Sequence, residues 1–148
     1  MVEPKGFEGG AQPNVTKSDK KIEIKERKIL RILLADDDED YRRHFKRQFE
    51  RRGYVVETVE NGQQILEKLA AGGHDIVFTD NSMPGVTGVQ ALRQIRATEK
   101  TKSLPVIVFT TDQAQDSVEK AGGVFIDKTT ANIDDICTTI EKMTEGIQ

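Results

Sequence analysis

Cysteine is almost absent: Cys137 is the only one in 148 residues, so neither an intrachain disulfide nor a thiolate cluster for zinc can form. Histidine is nearly as scarce. His44 and His74 stand far apart with no Cys or His at ligand spacing, which leaves them as ordinary surface or half-buried side chains. No apolar stretch approaches the roughly twenty residues that cross a bilayer, so no membrane insertion is expected. Positive charge is not in excess either. The formal net charge is -3; Met1 to Lys28 carries seven Lys or Arg against five acids, and the remainder fifteen against twenty. A mildly acidic body argues against direct nucleic-acid binding through a basic face. Together these absences predict a soluble, reducing, cytoplasmic setting.

Length and apolar content suit a single core. Residues 1–28, rich in Gly, Pro, Lys and Glu, read as a flexible leader or linker, which leaves 29–148 as the folded domain. From Ile29 onward, short β-rich runs alternate with segments of helical period. Strands are predicted at Ile29 to Ala35, Tyr54 to Val59, Asp75 to Thr79, Pro105 to Thr110 and Gly123 to Asp127. Three of them are almost continuously apolar, the pattern of parallel strands covered on both faces. Helices are predicted over about 38–52, 62–71, 86–98, 112–121 and 131–144, the first with Tyr41, Phe45 and Phe49 on one stripe. Five strands, each followed by a helix, define an α/β doubly wound five-stranded parallel sheet with helices on both faces.

In such sheets a ligand binds beyond the carboxyl ends of the strands, where strand order reverses. The predicted strands end in Asp36 and Asp37, in Asp80, in Thr110 and Thr111, and in Asp127 and Lys128. Three carboxylates at one rim repel each other and are costly to desolvate, so a cation is required between them. Hard oxygen donors with room for water suit Mg2+. Lys128 adds a fixed positive charge and Thr110 a hydroxyl donor. A metal, an ammonium and a hydroxyl converging on one carboxylate suit phosphoryl transfer, with Asp80 as the candidate nucleophile. Asp38 reads more simply as a helix cap. The first helix is strongly basic, with Arg43, Arg47 and Arg51 on one stripe; this is either a solvated face or a docking surface for an acidic partner.

The segments "LLADDDEDYRR", "DIVFTDNSMPGVTG", "PVIVFTT" and "GGVFIDK" resemble the response-regulator receiver domain, the CheY-like family, and the resemblance runs from about Leu30 to Met143. It implies strand order 2-1-3-4-5 and phosphorylation of Asp80 by a histidine kinase or histidine phosphotransfer protein. It also implies Mg2+ bound by Asp37, Asp80 and the backbone carbonyl of Ser82, with Asp36 acting through water. Thr110 and Lys128 would contact the phosphoryl group, and Phe125 would be the aromatic switch residue. The expected function is a phosphoacceptor of a two-component or phosphorelay system that catalyses only its own phosphoryl transfer and dephosphorylation. Only about twenty residues follow Lys128, so signalling is expected through contact with a downstream protein and not through an attached output domain. The pattern is broken at Thr129, where the family carries proline, and at Thr87, which replaces an acidic residue at a helix cap. Thr110 to Gly122 is about one turn short, which predicts an abbreviated fourth helix. Two alternatives stand beside this reading. One is a receiver that acts as a phosphorylation-independent binding module; the other is a haloacid-dehalogenase-like phosphatase built on the pair Asp36 and Asp38, disfavoured because no lid domain or later acidic pair is evident.

Overall fold

Apolar strands and amphipathic helices alternate through residues 28–146, the part of the chain described by the computed structural model. In order they are β1 (Arg31–Ala35), α1 (Glu39–Arg51), β2 (Val55–Val59), α2 (Gly62–Ala71), β3 (Ile76–Thr79), α3 (Gly88–Ala97), β4 (Val106–Thr110), α4 (Gln115–Lys120), β5 (Val124–Asp127) and α5 (Ile133–Met143). The strands pair in parallel in the order β2-β1-β3-β4-β5, as the resemblance implies. Strand order reverses between β1 and β3, and the ends of those two strands carry Asp36 and Asp80.

Helices cover both faces, which is why the central strands β3 and β4 are buried at every position. On one face Leu33, Val77 and Val108 pack with Ile65 and Leu69 of α2, Leu92 and Ile95 of α3, and Val118 of α4. On the other, Ile32, Leu34, Phe78 and Phe109 meet Phe45 and Phe49 of α1 and Ile136 and Ile140 of α5. The α1 stripe is only partly core. Phe49 is fully buried, whereas Tyr41, one end of the same stripe, is 39% exposed and lies beside the strand ends.

Most helices begin where a side chain satisfies free N–H groups. Asp38 caps α1, Asn61 caps α2 and Asn132 caps α5. Thr87 forms a capping box with Gln90, so the neutral residue does the capping work expected of that position. No side chain caps α4, whose cap residue is Ala114. This helix has six residues instead of the predicted span 112–121, which bears out its brevity and corrects its start. Asp112 is diverted into other bonds described below. β1 likewise starts at Arg31 and not at Ile29, which is 64% exposed. The predicted leader lies outside the described residues except for Lys28, which forms an ion pair with Asp75 at 3.0 Å.

Gly88 opens α3 against the turn after β3, and its N–H donates to the Asn81 carbonyl at 3.0 Å. A methyl group there would overlap the Asp80 backbone carbonyl oxygen. Because the obstacle is backbone, Gly88→Ala is expected to cost about 1–3 kcal/mol. An unchanged denaturant midpoint would contradict that close approach.

Candidate functional site

The three consecutive aspartates after β1 have separate fates. Asp36 turns inward and is 4% exposed; its Oδ1 accepts from the Asp38 N–H at 2.9 Å and its Oδ2 from Lys128 Nζ at 2.9 Å. Asp37 is exposed at the rim. Asp38 points the other way, accepting the N–H groups of Asp40 and Tyr41 as the α1 cap. It is therefore not a second pocket acid, and the D-x-D reading behind the phosphatase alternative loses its geometry.

Asp80 follows β3 and is 8% exposed. Its Oδ1 accepts from the Asn81 N–H at 2.8 Å, and its Oδ2 lies 3.6 Å from Lys128 Nζ. Lys128 reaches in from the end of β5, held where its N–H donates to the Thr110 carbonyl at 3.0 Å. Its ammonium sits 4.0 Å from the Tyr41 ring centroid, a cation–π contact that helps replace lost hydration. Burial pushes the Asp36 carboxyl above its ordinary range, and the Asp38 N–H and Lys128 offset this only in part. Burial works against the Lys128 charge too, yet its bond to Asp36 and the field of Asp80 hold its pKa above the ordinary lysine value. The positive partner of the acidic run is thus a lysine ninety-two positions away.

Carboxylate oxygens of Asp36, Asp37 and Asp80 all lie within 4.8 Å of one another. Three hard anionic donors with one exposed member fit a small divalent cation that keeps part of its water shell. Thr110, at the end of β4, is 1% exposed, and its Oγ1 accepts from the Asp112 N–H at 3.2 Å. Ser82 lies on the neighbouring β3–α3 loop. Phe125 sits apart from the carboxylates, half-buried against the α2–α3–α4 face of the core.

Thr129 is bonded back to the residue before Lys128. Its N–H and hydroxyl both donate to Asp127 Oδ1, at 2.9 and 2.7 Å, and proline would offer neither donor. Those bonds lower the Asp127 pKa while Lys128 still reaches the pocket. Four contributors were not singled out from sequence. Tyr41, on the aromatic stripe of α1, covers Lys128, and Arg42 of the same helix donates to the Asp36 carbonyl at 2.7 Å. Asn81 and Asp112 join each other across the pocket mouth at 3.1 Å. A polar residue two places beyond the end of β4 was the only available signal for Asp112.

Fold and site together define a doubly wound α/β domain with an acidic, lysine-braced pocket at its switch point. The family described as the response regulator receiver domain matches residues 32–141, and the chain belongs to that family of two-component signalling modules, which are not classical enzymes. The chain is 34% identical over 93 residues to chemotaxis protein CheY of Pseudomonas aeruginosa, covering 62% of this chain and 75% of that one. It is 36% identical over 96 residues to response regulator MprA of Mycolicibacterium vanbaalenii, covering 64% of this chain but only 39% of MprA. Among solved structures, response regulator TrrA of Thermotoga maritima in complex with Mg2+–BeF matches with TM-score 0.69 and 30% identity, covering 78% of this chain and 99% of that one. A second TrrA structure contains the histidine kinase ThkA and matches with TM-score 0.68 and 29% identity, covering 78% and 98%. No helix among the described residues is long and apolar enough to cross a membrane.

Proposed function

We propose that this receiver accepts a phosphoryl group on Asp80 from a histidine kinase or histidine phosphotransfer protein, with Mg2+ held by Asp37, Asp80 and the Ser82 carbonyl and Asp36 acting through water. The observation that carries the reading is Lys128: one ammonium from β5 stands 2.9 Å from the β1 carboxylate and 3.6 Å from the β3 carboxylate. Three strand ends thereby converge where charge must be neutralised as it builds on a transferring phosphoryl group.

In this mechanism an Asp80 oxygen forms the new P–O bond as the donor's bond to phosphorus breaks. Mg2+, when bound, neutralises phosphoryl charge. Asn81 orients the carboxylate through its N–H, Lys128 shifts from Asp36 towards the added phosphoryl oxygens, and Thr110 donates its hydroxyl proton to them. Movement of Thr110 alters the space beside β4, where Phe125 pairs in register with Val108, and this is how Phe125 would report phosphorylation to a downstream protein. A mass shift of one phosphoryl group after incubation with acetyl phosphate and Mg2+ tests the acceptor and metal together.

The basic α1 face supports a kinase contact. Arg43 is bonded to Glu39 at 3.0 Å and Lys46 to Glu50 at 2.7 Å, while Arg47 and Arg51 remain exposed. Arg43→Glu with Arg47→Glu is expected to slow transfer from the cognate kinase about tenfold, mainly through encounter, while sparing acetyl phosphate. Equal loss with both donors would refute docking. The feature that favours the phosphorylation-independent module instead is Thr129 in place of proline, bonded to Asp127 beside Lys128. Failure to bind beryllofluoride with Mg2+ would decide for it.

A further inference from the structure

We propose that Asp112 is a positioning residue that fastens the β3–α3 loop, and with it the Ser82 carbonyl, for divalent-cation binding. The inference rests on the assignment of Ser82 to the Mg2+ site.

Asp112 lies just beyond β4, and one oxygen of its carboxylate, Oδ2, accepts from Ser82 Oγ at 2.7 Å and from Asn81 Nδ2 at 3.1 Å. These bonds span 30 and 31 residues and join two loops that flank Asp80. Asn81 is fastened on two further sides. Its Oδ1 accepts from the Val89 N–H in the first turn of α3 at 2.9 Å, and its own N–H donates to Asp80 Oδ1 at 2.8 Å. The Asp112 N–H in turn bonds to Thr110 Oγ1 at 3.2 Å. A single residue thus ties the end of β4 to the acceptor loop and to the buried hydroxyl.

Bonds to an ionised acceptor are stronger than neutral ones. The Asp112 carboxylate offers such an acceptor to both Ser82 and Asn81. The consequence bears on the metal. A carbonyl ligand carried on a loop binds well only if that loop is already ordered, since ordering it on binding costs conformational entropy. Groups behind a ligand that fix its orientation contribute to affinity without touching the ion. Asp112 is not among the three carboxylates that converge within 4.8 Å, so its contribution is to hold the loop and not to supply a donor.

A charge effect would also weaken Mg2+ binding, and three variants separate the two causes. Asp112→Ala removes the acceptor, Asp112→Asn keeps an acceptor oxygen without the charge, and Ser82→Ala removes the hydroxyl while leaving the backbone carbonyl. Calorimetric titration of the unphosphorylated full chain with MgCl2 is expected to show Asp112→Ala and Ser82→Ala each about five- to tenfold weaker, the scale of one hydrogen bond. Asp112→Asn should fall between the parent and Asp112→Ala, since its neutral acceptor holds the loop more weakly than a carboxylate, and the Ser82→Ala/Asp112→Ala pair should be little worse than Asp112→Ala alone, because Asp112→Ala already removes the Ser82 bond. Additive losses, or equal losses in Asp112→Asn and Asp112→Ala, would overturn the positioning role. Unchanged affinity in Ser82→Ala, whose exposed side chain is not needed for folding, would do the same. Absence of Mg2+ binding by the parent chain would instead fell the metal assignment beneath it.

Discussion

Asp80→Asn is expected to take up no phosphoryl group from acetyl phosphate and Mg2+ under conditions that label the parent chain, a complete loss. Four aspartates lie near the pocket mouth, and the proposed role of Asp80 rests on how differently they are held. Both oxygens of Asp36 are engaged, one by the Asp38 N–H and one by Lys128 at hydrogen-bond distance. Asp112 is occupied by two donors through Oδ2. Asp37 is the exposed member of the cluster, and Lys128 makes its ion pairs with Asp36 and Asp80 instead. At Asp80 the Asn81 N–H fixes Oδ1, while Oδ2 stands 3.6 Å from Lys128, inside its electrostatic reach but beyond an ordinary hydrogen bond. That oxygen is oriented, near a cation and uncommitted, which is what a carboxylate nucleophile requires. Asparagine keeps the shape and the Oδ1 acceptor, so the fold survives and only the nucleophilic oxygen is lost. Intact-mass measurement reads the result directly. Labelling of Asp80→Asn to the parent level would place the acceptor elsewhere, and Asp37→Asn serves as the control for a metal defect.

The pocket was legible because parallel strands buried on both faces stay apolar until they leave the sheet. The polar residues that close each apolar run therefore mark the rim, and this rule gives Asp36 and Asp37 after β1, Asp80 after Thr79, Thr110 and Thr111, and Lys128 after Asp127. Their convergence in one place follows from sheet order, which the resemblance supplied and the strand pairing bears out. Contacts made by residues distant in sequence were not legible. Nothing near Asp112 announces that its partners lie thirty residues away, and α4 starts at Gln115, three residues beyond it, without a side-chain cap. Helical period put Tyr41 on a stripe with Phe45 and Phe49, but period says nothing about which end of a helix overhangs the sheet. Tyr41 overhangs it and meets Lys128. The resemblance pairs Lys128 with a phosphoryl group on Asp80, whereas its shorter contact in the structure, to Asp36, was not legible in the sequence.

That contact sets the second large effect, in stability. Lys128→Met leaves Asp36, 4% exposed, without the ammonium that compensates its burial. Removing one member of a buried pair typically costs 3–5 kcal/mol, and about 3 kcal/mol is expected here because the pocket mouth lies near solvent. The methionine stem packs against the Tyr41 and Phe109 rings now facing the lysine, so the deficit stems from the stranded charge and not from a void. The pH dependence carries the signature. The folded-state pKa of Asp36 is already raised by burial, so its favourable contribution is present below the unfolded carboxylate pKa and is lost as pH rises through the folded value. Without Lys128 that folded value climbs further, and the variant should be most deficient at neutral pH and recover relative to the parent as the medium is acidified. Adding Asp36→Asn should restore most of the lost stability, since replacing both partners of a buried pair costs far less than stranding one. Mg2+ should stabilise the Lys128→Met variant more than the parent, because a divalent ion bound only to the folded state supplies the missing charge. Urea titrations across pH, with and without Mg2+, measure all of this at once; a deficit that persists unchanged into acid, or that Asp36→Asn fails to relieve, would mean that Lys128 supports the fold by packing and not by balancing the acidic pocket.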